Sequence, residues 1–378
     1  MPDVAAPPPS DRTPTVGEIA RWLDRFAPPA LAADWDNTGL LLGNAAVTAP
    51  RILTCLTVTQ SVVAEAVDAG VQLIVTHHPI LFKAVKKLTS HTPDGRLLLP
   101  LIEAGIAVYS PHTSFDNCAG GINDALATAF GLTGVSPLRW KDSTKECKLV
   151  VFVPDSDLAK VSDAVFAAGG GVIGQYEQCS FRLSGSGTFF GTEATNPVVG
   201  QKGRREDVAE WRLEVVVPEL LVEAVVAAMR AVHSYEEPAF DVYPLRAKRI
   251  GGEGRIGTLP AAVGLDAFAG AVKTACRAST VQVVGAPDKP IRTVAVACGA
   301  AGEFLTDAIR RKADAFVTGE VRFHDCLAAE AAGIALVLPG HYATERPAVE
   351  ELATKLAEAF PAATVSASKA DQDPLRSI

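Results

Sequence analysis

The chain has 378 residues, 48% of them hydrophobic, and a net charge of −8. This length allows two or three domains with their own cores, and the acidic balance disfavours nucleic-acid binding without excluding a local basic patch. No apolar run approaches the ~20 residues that span a bilayer. Seven cysteines without a C-x-x-C pair argue against a disulfide framework and a zinc ribbon, and they favour a cytoplasmic protein.

The chain begins with MPDVAAPPPSDRTP, which is rich in proline and alanine and lacks the apolar core of a signal peptide. We therefore expect a disordered tail over residues 1–14. An N-terminal α/β lobe is predicted over 15–145. In it, RILTCLTV indicates a strand, QSVVAEAVDAG a helix that ends at Gly70, and VQLIV a buried strand. A helix over 94–104 and a strand over 106–110 follow, and this order implies parallel pairing.

Residues 146–247 have a different pattern. The strands CKLVVFVP, EWRLEVVVP and FDVYPL alternate with the helices DLAKVSDAVFAAGGG and ELLVEAVVAAMRAVH, and QCSFRLSGSGTFF is typical of a hairpin. The resulting order, strand–helix–strand–strand–helix–strand, is that of a ferredoxin-like domain. We predict an α+β insert that interrupts the α/β domain.

A second α/β lobe is predicted over 248–365, and residues 366–378 are expected to be a tail. Strands at TVAVACG, DAFVTGE and IALVLPG alternate with helices at EFLTDAIRRK and RFHDCLAAEAAG, before a long helix from Ala343 to about Phe360. GVQLIVTHHP and KADAFVTGEV both place VT before a polar pair, which internal duplication would explain. The predicted fold is α/β, with two related lobes and an α+β insert.

Four polar clusters follow predicted strands: THHP, PHTSFD, TGEVRFH and PGHYATE. Because ligand sites in open α/β sheets form at the carboxyl ends of parallel strands, we expect these clusters to converge at one edge. Imidazole and carboxylate without thiolate suit Zn²⁺, Fe²⁺ or Mn²⁺. The candidate ligands are His77, His78, His112, Asp116, Glu320, His324, His341 and Glu345.

The number of candidates favours two neighbouring ions. His341 and Glu345 are four residues apart at a helix start, so they can share one face, and His112 and Asp116 have the same spacing. Five or more ligands exceed what one tetrahedral ion needs. A carboxylate has two oxygens and is the usual group that bridges two ions.

Each candidate has a structural alternative. A single His78 is more often a hydrogen-bonded structural residue than a ligand. Asp116 could instead cap the helix GGINDALATAF, and Glu345 could be a first-turn carboxylate that the helix dipole favours. His112 and His324 fit structural or outer positions better than direct ligation. The prediction of a metal site therefore depends on the convergence of all four clusters.

Two further features carry less weight. Lys83, Lys86 and Lys87 follow THHP and could meet an anionic substrate, although a solvated basic stretch is the commoner explanation. GAAGEF (299–304) could cradle a phosphate with its backbone. It lacks the Walker lysine and the full dinucleotide fingerprint, so a tight turn is favoured.

Five motifs make the chain resemble the Nif-three-like family, also known as GTP cyclohydrolase I type 2 homologues. They are DWDNTGLLLG, VTHHPILF, YSPHTSFD, TGEVRFHD and PGHYATE, in family order over about 15–145 and 250–365. The segment HSYEEPAFDVY (233–243) is similar to the signature of a PII-like or CutA-like insert in longer members. It has Ser234 where proline is commoner.

The resemblance implies a two-metal centre and an assembly. Carried over by motif, His78 and Asp116 hold one ion, His77 and His341 hold the other, and Glu345 bridges both. The family forms toroidal homohexamers, which the PII-like domains cap in inserted members. Two divalent ions per chain, as Zn, Fe or Mn, are therefore expected.

Two classes of function remain open. The first is a metal-dependent hydrolase that acts on a nucleotide or related small molecule, with GTP as the candidate that the family's name supplies. Lys83, Lys86, His112, Glu320 and His324 are then candidates for contacts to substrate or to the ligands, and no catalytic residue is assigned. The alternative is a non-catalytic assembly that buffers, delivers or senses metal with a PII-like domain. Turnover distinguishes the two.

Overall fold

The computed structural model describes residues 12–142, 145–246 and 249–376. Contacts between Cα atoms divide the chain into two units, one formed by the residues before 142 and after 249, the other by Asp142–Arg249. Most of the predicted N-terminal tail lies outside the described residues. Within those residues, no helix combines the length and apolar character that a bilayer crossing requires.

The elements are numbered along the chain. The strands are β1 (Gly39–Leu42), β2 (Arg51–Cys55), β3 (Leu73–Thr76), β4 (Ala107–Ser110), β5 (Thr133–Asp142), β6 (Glu146–Val153), β7 (Phe181–Phe190), β8 (Arg205–Pro218), β9 (Phe240–Pro244), β10 (Arg249–Gly264), β11 (Gln282–Val284), β12 (Pro290–Val296), β13 (Ala315–Val317), β14 (Ala335–Leu338) and β15 (Thr364–Ala367). The helices are α1 (Val16–Phe26), α2 (Gln60–Asp68), α3 (Pro93–Glu103), α4 (His112–Asn117), α5 (Ile122–Ala129), α6 (Leu158–Ala167), α7 (Val222–Val232), α8 (Leu265–Ala275), α9 (Leu305–Arg310), α10 (Phe323–Ala332) and α11 (His341–Ala359).

The first unit contains two sheets. In the five-stranded sheet the order is β1-β4-β3-β2-β15, with β15, β2, β3 and β4 parallel and β1 antiparallel at the edge. In the six-stranded sheet the order is β11-β14-β13-β12-β10-β5, and β12, β13 and β14 are parallel. Val75 and Tyr109 of the first sheet share one buried apolar cluster with Val296 and Val317 of the second. The mixed α/β character of the prediction is confirmed.

The two sheets do not coincide with two consecutive lobes. β15, from the C-terminal end, pairs with β2, and β5, from the N-terminal half, belongs to the same sheet as β10. The predicted tail over 366–378 also begins too early. Ser366 and Ala367 lie in β15, and Ser368 and Asp371 are buried. The reason is that TVSA has no continuous apolar run, so its pairing is set by the sheet and not by a local pattern.

Most of the predicted strands and helices are found, with shifted ends. Buried parallel strands such as β3 and β4 are apolar on both faces, and such runs are visible in a sequence. Three differences stand out. α11 begins at His341 and not at Ala343, QCSFRLSGSGTFF forms the single strand β7 and not a hairpin, and several elements had no predicted counterpart. These are α1, β1, α4, β5, β10, α8, β11 and β15.

The second unit is a four-stranded antiparallel sheet with two helices. Its elements follow in the predicted order, β6-α6-β7-β8-α7-β9, and the sheet order is β7-β8-β6-β9. Leu149, Leu213, Val161 and Val225 belong to its separate buried core. In the HSYEEP segment, the Ser234 N–H donates to Asp157 Oδ2 at 2.7 Å, a bond that proline could not make.

Candidate metal centre

The four polar clusters lie at the carboxyl ends of parallel strands, as predicted. They belong, however, to two sheets and not to one. His77 and His78 directly follow β3, and α4, which carries His112 and Asp116, follows β4. On the six-stranded sheet, Glu320 follows β13, while His341 and Glu345 lie in the first turns of α11 after β14. The site is thus assembled from the strand ends of both sheets.

Glu345 lies at the centre of the cluster. Its Oε2 is 3.1 Å from His78 Nε2 and 3.1 Å from His341 Nε2, and its Oε1 is 3.8 Å from His77 Nε2. The side chain is only 3% exposed. Both carboxylate oxygens therefore face imidazole nitrogens, and those imidazoles come from both sheets.

His77 is the most buried member of the cluster. It is 2% exposed, and neither ring nitrogen has a hydrogen-bond partner among the residues that the structure describes. His77 Nε2 lies 3.5 Å from Asp116 Oδ1, a contact longer than a hydrogen bond. Buried polar atoms are almost always satisfied, so an unsatisfied imidazole beside a carboxylate is the arrangement that a cation would complete.

The pairing of ligands that the resemblance implied stays a prediction, and the side-chain distances favour a different pairing. The resemblance implied His78 with Asp116 and His77 with His341. In the structure, His77 is the histidine beside Asp116, whereas His78 and His341 meet at the same oxygen of Glu345. The reason is that consecutive residues after β3 point in different directions, and their partners are set by which strand end lies opposite each one.

Two groups of side chains place their donor atoms close enough to hold an ion. One is His77, His78 and His112, and the other is His78, His341 and Glu345; in each, the ligand atoms lie within 4.8 Å of one another. Nitrogen and oxygen donors of this kind fit borderline divalent ions such as Zn²⁺ or Fe²⁺. The donor set and the unsatisfied His77 both fit a metal, so the residues present are compatible with the predicted group.

The other ring nitrogen of three histidines is held by a polar partner. His78 Nδ1 lies 2.7 Å from Thr57 Oγ1, and His341 Nδ1 lies 3.0 Å from Glu320 Oε1. His112 Nδ1 lies 2.7 Å from Asp36 Oδ1. Such partners fix the orientation of a metal-binding imidazole and raise its basicity. Glu320 therefore lies behind His341 and not in the centre of the cluster.

His112 is held in a strained backbone conformation. Its φ is 32°, in the left-handed region that non-glycine residues rarely adopt. Asp36 fixes it there by accepting from both the imidazole and the Thr113 N–H, the latter at 3.1 Å. The His112 and His77 rings are 5.2 Å apart. Strain of this kind persists only where surrounding contacts enforce it, and it is concentrated at functional sites.

The ionisable side chains of the cluster shift one another's pKa. Burial would raise the pKa of Glu345, but His77, His341 and His78 outweigh it and lower that pKa well below its ordinary value. Burial would lower the pKa of His341, but Glu345 and Glu320 raise it to about 9. Burial and the Glu345 charge raise the pKa of Asp116 to about 7, and burial lowers that of His77.

A cavity of about 360 Å³ opens onto the cluster. His78, Asp116, His341 and Glu345 line it together with Trp35, Pro79, Phe82, His112, Thr113, Cys298, Gly299, Ala300, Ala301, Glu303 and Phe304. His324, Lys83 and Lys86 are exposed and are not part of this lining. These three candidates for contacts to substrate or to the ligands are therefore not brought to the cluster, because exposed side chains after β3 and on α10 extend into solvent.

Glycine is required where GAAGEF passes the cluster. Gly299 has φ +65°, and a Cβ atom there would overlap Glu345 Oε1. Only glycine combines this backbone conformation with the close approach of the carboxylate. The segment begins with a bend at Gly299 and Ala300 and continues into a short 3-10 helix, and its first residues form part of the cavity wall.

Several residues of the site were not predicted. Asp36 and Thr57 hold histidines, and Cys298 Sγ donates to Asp116 Oδ1 at 3.1 Å. Burial raises the pKa of Cys298, so the thiol stays protonated and can donate. Asp116 therefore faces the cluster and does not cap α5, whose N-cap is Gly121. For Asp36, the DWDN motif was a signal, but its contact with His112 is not local.

The fold and the cluster together define a class: an α/β protein whose strand ends form a partly buried histidine–carboxylate cluster with groups that could bind a metal. The family model Duf34/NIF3 (NGG1p interacting factor 3) matches residues 14–374. The chain belongs to this family. A relative from Halalkalibacterium halodurans is 40% identical over 324 residues, covering 85% of this chain and 87% of the relative. A relative from Mycobacterium leprae is 38% identical over 339 residues, covering 88% of this chain and 87% of the relative.

Both relatives carry the name "GTP cyclohydrolase 1 type 2 homolog". Among solved structures, a Bacillus cereus protein related to NIF3 is 33% identical, with a TM-score of 0.67 over 97% of this chain and 100% of its own. Staphylococcus aureus protein SA1388 is 27% identical, with a TM-score of 0.71 over 96% of this chain and 99% of its own. The resemblance stated from the motifs is thus confirmed across nearly the whole chain.

Proposed function

We propose that the Glu345 cluster holds two divalent ions. His77 and Asp116 bind the first, His78 and His341 bind the second, and Glu345 bridges them. The observation that carries this proposal is the position of the Glu345 carboxylate, 3.1–3.8 Å from imidazole nitrogens of both sheets. Both carboxylates can only accept hydrogen bonds, and the buried His77 ring has no hydrogen-bond partner among the described residues although it lies beside Asp116 and Glu345, which supports cations between these groups.

We further propose that the site catalyses hydrolysis of a nucleotide or related small molecule. Two such ions, when bound, would polarise a substrate oxygen and lower the pKa of bound water. The chain supplies the positioning: Asp36 fixes His112 at the cavity wall, and Glu320 orients His341. The name of the relatives points to a purine nucleotide such as GTP, and a cavity of about 360 Å³ is in the range of small-molecule sites.

A metal-delivery or metal-sensing assembly is the second candidate. The observation that favours it is the second unit, which has a separate core and a separate cavity of about 470 Å³ with Tyr235, Glu236 and Glu237 in its wall. Its element order and HSYEEP segment support a PII-like or CutA-like relationship. In this proposal the chain forms a homohexameric ring, and the second unit binds an effector.

The first experiment measures metal and then turnover. Protein purified without chelator should contain close to two divalent ions per chain by elemental analysis. Reloading with Zn²⁺, Mn²⁺ or anaerobic Fe²⁺ should restore this value. The loaded protein is then screened against nucleotides and phosphoesters. A metal content that stays near zero would rule out the site, and two ions without turnover on any substrate would favour delivery or sensing.

A further inference from the structure

Two large aromatic side chains are exposed at the mouth of the metal cavity. Trp35 is 61% exposed and Phe82 is 51% exposed. Their ring centroids are 5.9 Å apart, with an interplanar angle of 71°. Both rings line the cavity that His78 and Glu345 also line. Exposed apolar surface of this size beside a polar site is characteristic of ligand-binding clefts.

Contacts beneath the rings hold both loops in place. Asn37, two residues after Trp35, donates its side-chain N–H to the Leu81 carbonyl at 2.7 Å, and Leu81 directly precedes Phe82. The neighbouring Asp36 is bound to His112 and to the Thr113 backbone. The two aromatic residues are therefore tied to each other and to the histidine cluster through their neighbours.

The rings also stand in a defined relation to the metal-binding residues. The His112 ring centroid is 6.0 Å from Trp35 and 6.4 Å from Phe82, and it is 5.7 Å from His78. One side of the cavity is thus aromatic and apolar, while its inner end is formed by imidazoles and carboxylates. A ligand that fills it needs a flat apolar part and a polar part within a few ångströms of each other.

We propose that Trp35 and Phe82 form a stacking surface for a planar heteroaromatic ring of the substrate. The ring packs on the indole and phenyl groups, and the polar part of the same molecule reaches the Glu345 cluster. This proposal deepens the proposed function. It rests on that function only for the polar part of the ligand, which would react at the Glu345 cluster. Aromatic side chains accept any flat heterocycle by stacking, so the ring can belong to a nucleotide or to a free heterocyclic metabolite.

The test is equilibrium binding to the metal-loaded, full-length protein. Calorimetric titrations compare GTP, guanosine and inorganic tripolyphosphate, which has the charge of the nucleotide but no ring. Trp35→Ala and Phe82→Ala should each weaken GTP binding roughly 5- to 100-fold, the range for loss of one stacking partner. Tripolyphosphate binding should not change. Trp35→Phe should keep most of the affinity, because it retains a ring.

The matched control is Phe323→Ala on α10, since Phe323 is 72% exposed but does not line the cavity. It should leave GTP binding unchanged. A second readout is indole fluorescence: GTP should quench emission in the wild type, and the quenched component should be missing in Trp35→Phe. Guanosine that binds as well as GTP would assign a free heterocycle as the ligand, whereas much weaker guanosine binding would assign a nucleotide.

Three outcomes overturn the stacking surface. The first is equal affinity for GTP and tripolyphosphate, and the second is an equal loss of affinity for both ligands in Trp35→Ala. The third is a changed assembly mass in Trp35→Ala with unaltered GTP binding, which would make the rings a contact between copies. Ring-dependent binding without turnover leaves the surface intact and removes the hydrolase proposal. Turnover that is unchanged in Trp35→Ala removes the stacking surface and leaves the hydrolase proposal intact.

Discussion

The two sheets contribute different chemistry to one cluster. The five-stranded sheet supplies His77 and Asp116, whose neutral forms burial favours: the pKa of His77 is lowered and that of Asp116 is raised to about 7. The six-stranded sheet supplies an ion pair. There the pKa of Glu345 is lowered, against the effect of burial, and that of His341 is raised to about 9.

The contrast in pKa shifts shows which side of the site is charged in the metal-free protein. In the metal-free protein, protonated His341 compensates the buried Glu345 carboxylate at neutral pH, because a buried charge without a partner is costly. In the proposed metal-bound state, a divalent ion would take over that compensation and displace the proton. The side with the six-stranded sheet therefore carries a charged pair before any ion binds, and the side with the five-stranded sheet adds further nitrogen and oxygen donors.

The largest effect is expected from Glu345→Gln, which removes the charge that both ions share. The amide keeps the size of the side chain, so the fold should persist by circular dichroism. Affinity at both positions should fall by more than about 100-fold, above the range for loss of an outer partner of a ligand. Metal titration by calorimetry measures this.

Glu358→Gln is the control for this prediction, since Glu358 is exposed on the same helix. It should retain both ions. If Glu345→Gln also keeps two ions at unchanged affinity, the bridging role is wrong, and the contrast between the two sheets loses its basis.

The next effect is the loss of one ion, and it tests the pairing of ligands. Asp116→Ala should lower the metal content from two ions to one. Adding His77→Ala to it should change little further, because both residues hold the same ion. Adding His78→Ala instead should remove the remaining ion. Elemental analysis of the two double variants measures the coupling. The opposite pattern would restore the pairing that the resemblance implied.

A smaller effect, about tenfold per pH unit, should distinguish the two ions by their proton release. Affinity at the His341 position should rise with pH up to about 9, where the imidazole loses its proton. Affinity at the Asp116 position should level off near pH 7. Calorimetry in buffers of different ionisation enthalpy counts the protons, and between pH 7 and 9 they should come from one position only.

Glu320→Gln is the matched variant, since it removes one of the two carboxylates that raise the pKa of His341. In this variant, metal affinity at the His341 position should stop rising at a lower pH than in the wild type. The raised pKa also stabilises the metal-free fold, fully below pH 6.5 and decreasingly as pH rises towards 9. An affinity that does not depend on pH between 7 and 9 would show that no proton is displaced from His341.

The sequence predicted the components of the site better than their assembly. His77, His78, His341 and Glu345 could be proposed because they lie within a few residues after apolar runs that form buried parallel strands. The sequence does not predict which sheet each apolar run joins, since strand pairing depends on residues far apart in the chain. Asp36 was missed for the same reason: it lies in a loop without periodicity, and only the tertiary fold brings it to His112.

The smallest effect is expected from removing the second unit. Every residue of the Glu345 cluster lies in the first unit, and the chain leaves and re-enters that unit between β5 and β10, which are neighbours in one sheet. Arg139 of β5 lies against Gly252 of β10, so a short Gly/Ser linker can join residues 141 and 250. The shortened protein should fold and bind two ions with affinities within about threefold of the full chain. Calorimetry and circular dichroism test this, and a change in assembly mass is compatible with it. Loss of either ion from a folded product would mean that the strand ends of the two sheets are not sufficient to build the site.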